Sequence, residues 1–135
     1  MEPSQKRSLD FHRLFGQTVS VLPTTDISEM DKKLRLDLIA EEFGELEEAV
    51  MADDIVKIAD ALGDLIYVTY GAAVAFGIDM EHVEKEVHRS NLSKVIGATR
   101  REDGKVIKSP LYSPVNLEPI LRTQASLDGS KVLVA

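Results

Sequence analysis

EEFGELEEAVMADDIVKIADALGD, residues 41–64, decides the fold. Apolar residues recur at helical spacing on both sides of a break at Asp53-Asp54. Leu46 and Val50 precede it; Ile55, Ile58 and Leu62 follow. Two helices joined by so short a break fold back on one another. Upstream, Leu34, Leu38 and Ile39 extend the second helix toward a cap at Asp26 or Ser28. Downstream, Leu65, Ile66, Val68 and TYGAAVAFG carry the third helix to near Gly77. Asp79 caps a fourth helix, with Met80, Val83, Val87 and Leu92, running to about Val95. A short first helix is expected from Ser8 to Gly16, before a connector containing Pro23. After Ile96 the texture changes: RREDGKVIKSPLYSP, with Asp103-Gly104 and two prolines, reads as a hairpin-like or irregular loop. A terminal helix is expected over 116–124. The expectation is an all-α antiparallel helical bundle, one domain over 1–124, with 125–135 a weakly ordered tail.

The 135 residues suit one core. With 44% apolar and 29% charged residues, the composition is globular. No unbroken apolar run reaches membrane-spanning length, so no membrane partner is expected. MEPSQKRSLDFHRLFG has a basic patch with no apolar run behind it, which predicts no secretory signal. The absence of cysteine excludes disulfides, thiolate metal sites and thiol nucleophiles. A cytoplasmic protein is expected. The net charge of −7 argues against a nucleic-acid polymer as partner.

That charge is segregated. Residues 26–64 carry thirteen acidic and four basic side chains, whereas 88–122 carry three acidic and seven basic. Positions three and four apart share a helix face. Glu41, Glu42 and Glu45 therefore form one stripe, and Asp60 and Asp64 another on the next helix. If the two helices pack antiparallel, the stripes face one another. Carboxylates converging near apolar surface repel unless a cation neutralises them. A hard divalent ion with oxygen ligands, magnesium before manganese, is the natural counter-charge. A di-iron bundle needs Glu-x-x-His on two helices. No such motif precedes His12, His82 or His88. GxxxxGK[ST], GxGxxG and GxSxG are also absent.

In the basic half, Asn91 and Lys94 are three apart, so amide and ammonium can meet one phosphate. Lys105 and Lys108 follow on the loop, and Tyr112 offers a flat face for a base or ribose. Gly71, Ala72, Ala73 and Ala75 permit close approach of another helix, which the spacing leaves open to a second subunit.

EEFGELEEA, ADALGDLIYVTYG and FGIDMEHVEKEVHRSNLSK, with FHRLFG before and RREDGKVIKSP after, resemble the MazG-like all-α NTP pyrophosphohydrolases. That superfamily includes dimeric dUTPases and phosphoribosyl-ATP pyrophosphohydrolase. The resemblance runs from about Asp10 to Gln124. It implies a homodimer or homotetramer, Mg²⁺ (with Mn²⁺ as substitute) on the acidic block, and cleavage of a nucleoside triphosphate to monophosphate and pyrophosphate. Glu41, Glu42 and Glu45 match the EExxE block, and Asp64 its final acid. The usual Glu three before that Asp is here Ala61, and an acid stands one residue earlier, at Asp60. Asn91, Lys94 and Lys108 match phosphate-handling positions; Phe11, His12 and Tyr112 are candidates for the nucleoside. The expected mechanism is water attack on the α-phosphorus, with Glu41 as general base and the other four carboxylates holding metal. Lys94 with Lys105 or Lys108 would stabilise the pyrophosphate. The expected substrate is a dGTP-like purine nucleotide or dUTP. A non-catalytic helical module that senses nucleotide or metal is the competing reading.

Overall fold

The computed structural model describes residues 1–95, 99–107 and 109–126. Among these residues are five helices: α1 (Pro3–Leu14), α2 (Glu29–Met51), α3 (Ile55–Ala75), α4 (Met80–Leu92) and α5 (Glu118–Ser126). Between α4 and α5, β1 (Thr99–Arg100) and β2 (Val106–Ile107) pair antiparallel, Thr99 opposite Ile107. Gly104, at φ 83°, turns the hairpin. The all-α architecture and its hairpin-like loop are as expected.

Caps set the helix starts. Ser28 accepts from the Asp31 N–H, Asp54 from Val56 and Lys57, and Asp79 from Glu81. Asp53, at φ 52°, makes the reversal that lays α3 back along α2. α1 starts five residues earlier than expected, with Pro3 in its first turn. Its buried face is Gln5, Ser8, Leu9 and His12, at helical spacing but mostly polar, so hydrophobic periodicity does not reveal it. Those polar groups are satisfied by distant backbone. Gln5 donates to Ile78 O and accepts from Met80 N; Ser8 donates to Tyr67 O. Leu14 and Phe15, at the C-terminal end of α1, are exposed.

The small residues of α3 do not await a second subunit. Gly71, Ala73 and Ala75 are buried within the chain, where α1 packs against α3 and the connector crosses it. Ser20 N bonds Val74 O, Ser20 Oγ bonds Ala75 O and Thr24 N bonds Phe76 O. Gly77 (φ 68°) is obligatory there, since a Cβ would lie 2.2 Å from Leu22 O. The apolar core is small, Leu9 against Val74 with Met1 and Val19 beside them. α3 is long and apolar enough, by length and composition, to cross a membrane. Its inward face nevertheless packs on α1 and α2, as in a core helix.

α4 ends at Leu92, sooner than expected, and α5 is shifted two residues toward the C-terminus. Ala125 and Ser126, assigned to the expected tail, close α5. The remainder of that tail lies outside the described residues. Gln124 holds α5 to the start of α4 at two points, accepting from Asp79 N and donating to Asp79 O.

Candidate active site

The inward stripe of α2 runs Arg35, Leu38, Glu42, Leu46 and Ala49, three or four residues apart, with Arg35 and Ala49 fully buried. Glu42 is therefore carried toward α3, while Glu41 and Glu45 flank it in solvent. On α3 the inward stripe passes through Ala61 and Leu65, which leaves Asp60 and Asp64 exposed at its margin. Burial, then the charges of Glu45, Asp64, Glu41 and Asp60, raise the pKa of Glu42 above the usual carboxylate value. The charges of the other four acidic candidates thus reach Glu42. Glu42 Oε2 is buried and, among the described residues, has no hydrogen-bond partner.

Two hollows divide the carboxylates. One, of about 340 Å³, brings Glu42 and Asp64 together with Phe11, His12, Arg35 and Tyr67. The other, of about 490 Å³, is bordered by Glu45, Asp60, Ala61 and Lys57. Asp60 and Asp64 are four apart, yet Asp60 borders the second hollow, with the buried Ala49 and Ala61, and Asp64 the first. Among the described residues, no three His, Asp or Glu side chains stand so as to enclose an ion unaided. A larger hollow of about 790 Å³, between the 23–25 connector and α5, contains none of these groups.

In the first hollow, Phe11 stacks on Phe15 at 4.5 Å and meets Tyr67 edge-on at 5.9 Å. His12 Nδ1 lies 2.8 Å from Thr18 O, and its Nε2 3.1 Å from Arg35 Nη1. An arginine only donates, so Nε2 accepts and the proton is on Nδ1. Burial lowers the His12 pKa, in keeping with a neutral ring. Gln17 Oε1 accepts from Arg35 Nη1 and Nη2, at 3.2 Å each.

The phosphate candidates form a separate group. Lys94 donates to Asn91 Oδ1 at 2.7 Å and lies 5.6 Å from the centre of the Tyr112 ring. Lys105 is exposed on the hairpin, and Lys108 lies outside the described residues. Neither carboxylate hollow is lined by Asn91, Lys94, Lys105 or Tyr112. Phe11 and His12 do share a hollow with Glu42 and Asp64. Sequence reasoning missed Arg35, Gln17 and Tyr67. The available signal was Arg35 in register with Leu38 and Glu42 on one helix face.

A family model described as phosphoribosyl-ATP pyrophosphohydrolase matches residues 9–91, which takes in both acidic stripes and ends at Asn91. An uncharacterized protein, L479 of Acanthamoeba polyphaga mimivirus, is 45% identical over 76 residues. That match covers 54% of this chain, and the chain spans about 30% of the length of that relative. With the match extending over most of its length and across both carboxylate helices, the chain belongs to the phosphoribosyl-ATP pyrophosphohydrolase family, within the MazG-like all-α superfamily.

Proposed function

We propose that this protein is a divalent-cation-dependent nucleoside triphosphate pyrophosphohydrolase, releasing a nucleoside monophosphate and pyrophosphate. The observation that carries the reading is Glu42, whose buried oxygen has no hydrogen-bond partner among the described residues and which shares a hollow with Asp64, with the charges of Glu41, Glu45 and Asp60 also acting on it. A buried anion in that setting fits a hard cation, and every candidate ligand is a carboxylate oxygen. Glu42, Glu45, Asp60 and Asp64 would hold magnesium, or manganese in its place. When bound, it supplies Lewis acidity toward phosphate oxygens. Family membership supports the same class of reaction.

Glu41 is exposed beside Glu42 and free to accept a proton from water attacking the α-phosphorus. Pyrophosphate then leaves from that phosphorus. Phe11 and His12 share a hollow with Glu42 and Asp64, which supports placing the nucleoside there. Lys94 and Asn91, with Lys105 and Lys108, would neutralise the leaving pyrophosphate. A homodimer or homotetramer is proposed, with substrate a dGTP-like purine nucleotide or dUTP.

Incubation with deoxynucleoside triphosphates and Mg²⁺ is expected to yield monophosphate and pyrophosphate, and chelation to abolish the yield. Glu41→Gln should keep nucleotide binding and lose about 10²-fold or more in kcat. Undiminished turnover removes Glu41 from the mechanism. Nucleotide binding without pyrophosphate from any substrate favours the sensing module.

A further inference from the structure

Arg35 is a cation inside the protein, 3% exposed, with no carboxylate within ion-pair distance among the described residues. An uncompensated buried charge is costly. The acid whose charge acts on it is Asp31, one turn before it on α2. That carboxylate already accepts from Thr18 Oγ1 at 2.8 Å and from Ser28 Oγ at 2.7 Å. Arg35 is met instead by neutral acceptors. Gln17 Oε1 occupies the Nη1–Nη2 fork, and His12 Nε2 takes the other Nη1 hydrogen. Nε–H is buried and has no partner among the described residues. What remains unused is the Nε–Nη2 edge, two parallel donors in a fixed plane.

The surroundings hold that guanidinium in place. Gly71 faces the His12–Arg35 contact, and a Cβ there would lie 3.0 Å from His12 Nε2 and 3.7 Å from Arg35 Nη1. Arg35 lines the same hollow as the aromatic rings of Phe11 and Tyr67. About 340 Å³ is at the small end of ligand sites, which run to about 1,000 Å³. Flat apolar walls suit an aromatic ring better than a phosphate. Glu42 lies seven residues along α2, about 10 Å at a helical rise of ~1.5 Å. That separation matches the reach of a nucleotide from base edge to phosphate.

Resting on the pyrophosphohydrolase reading, we propose that Arg35 selects the base, its Nε–Nη2 edge pairing with the adjacent O6 and N7 acceptors of a 6-oxopurine. Guanine and hypoxanthine present that pair of acceptors. Adenine presents a donor in place of O6 and uracil has no two adjacent acceptors. Cytosine does have such a pair, N3 beside O2, but it lies closer to the sugar than O6 and N7 do, so a seated dCTP presents it out of register. Leaving the edge unpaired on a wrong base carries the cost of a buried unsatisfied donor, which is what makes the choice selective.

The test has two readouts on the whole chain. One is kcat/KM for pyrophosphate release, with Mg²⁺, from dGTP, dITP, 7-deaza-dGTP, dATP, dCTP and dUTP. The other is equilibrium binding of dGMP, dAMP and dUMP. dGTP and dITP are expected to exceed dATP, dCTP and dUTP by roughly tenfold or more, and 7-deaza-dGTP to fall behind dGTP similarly. Arg35→Lys keeps the charge without the fork and should bring these ratios close to one. If that variant does not fold by circular dichroism, the wild-type comparison of dGTP with its 7-deaza analogue decides. Equal use of dGTP, dATP and 7-deaza-dGTP overturns the assignment, as does dUTP matching dGTP. Should no nucleotide release pyrophosphate, the catalytic reading falls by itself. The binding ratio still judges the base assignment: dGMP ahead of dAMP upholds it and equality overturns it.

Discussion

Glu42 is placed where a carboxylate costs the isolated chain stability, half-buried and facing like charges. Glu42→Gln is therefore expected to raise the melting temperature in chelator while abolishing turnover. Relieving an unsatisfied buried group contributes about 1 kcal/mol, and for a chain of this size that is roughly 3–6 °C. A lower melting temperature in the variant would mean that Glu42 is structurally, not functionally, selected. His12 gives the opposite pH signature. Its pKa is lowered on folding, chiefly by burial, so below about 6.5 the unfolded chain takes up a proton that the folded chain refuses. The contribution is complete above that pH and is lost as pH falls through the window beneath it. Melting curves from pH 7.5 to 5.5 should show a steeper loss for wild type than for His12→Asn. Parallel curves would place the titration elsewhere. The acidic candidates were legible because carboxylate repulsion is a local argument from spacing. Arg35 was not, because its significance comes from Gln17 and His12, residues on other segments.

At the level of elements, the cap at Asp79 and the choice of Asp26 or Ser28 were readable because a cap acts over three residues; the structure takes Ser28, and Asp54, read only as part of a break, also caps. Ser28 does double duty, accepting from Asp31 N and donating to Asp31 Oδ2. Ser28→Ala should destabilise by about 1 kcal/mol in denaturant unfolding. An unchanged midpoint would show that Thr18, which also holds Asp31, suffices. α1 was misjudged for the converse reason. Its inward residues are polar, and their partners Ile78, Met80 and Tyr67 lie more than fifty positions away. The ends of α4 and α5 shifted by two or three residues, the usual margin where local capping is weak.

Across the whole molecule, the largest discrepancy is how little apolar surface one chain buries. Leu36, Phe43 and Val50 are 68%, 52% and 50% exposed along α2, and Leu62 and Ile66 44% and 54% on α3. Exposed apolar surface on this scale is common where a second chain binds. The proposed homo-oligomer would cover it, and light scattering should give twice or four times the chain mass. Phe43→Glu is expected to shift that mass toward one chain and to lower activity. A wild-type mass of one chain rejects the oligomer outright. By itself the sequence determined the helices, their order, the hairpin turn and the two acidic stripes, since periodicity, caps and spacing act within a few residues. Only the tertiary structure decided that α1 covers the small-residue face of α3 and that Asp60 and Asp64 serve different hollows. It alone also placed Arg35 inside, with no counter-ion among the described residues. Those outcomes depend on which surfaces meet, and such contacts are set by packing between segments far apart in the chain.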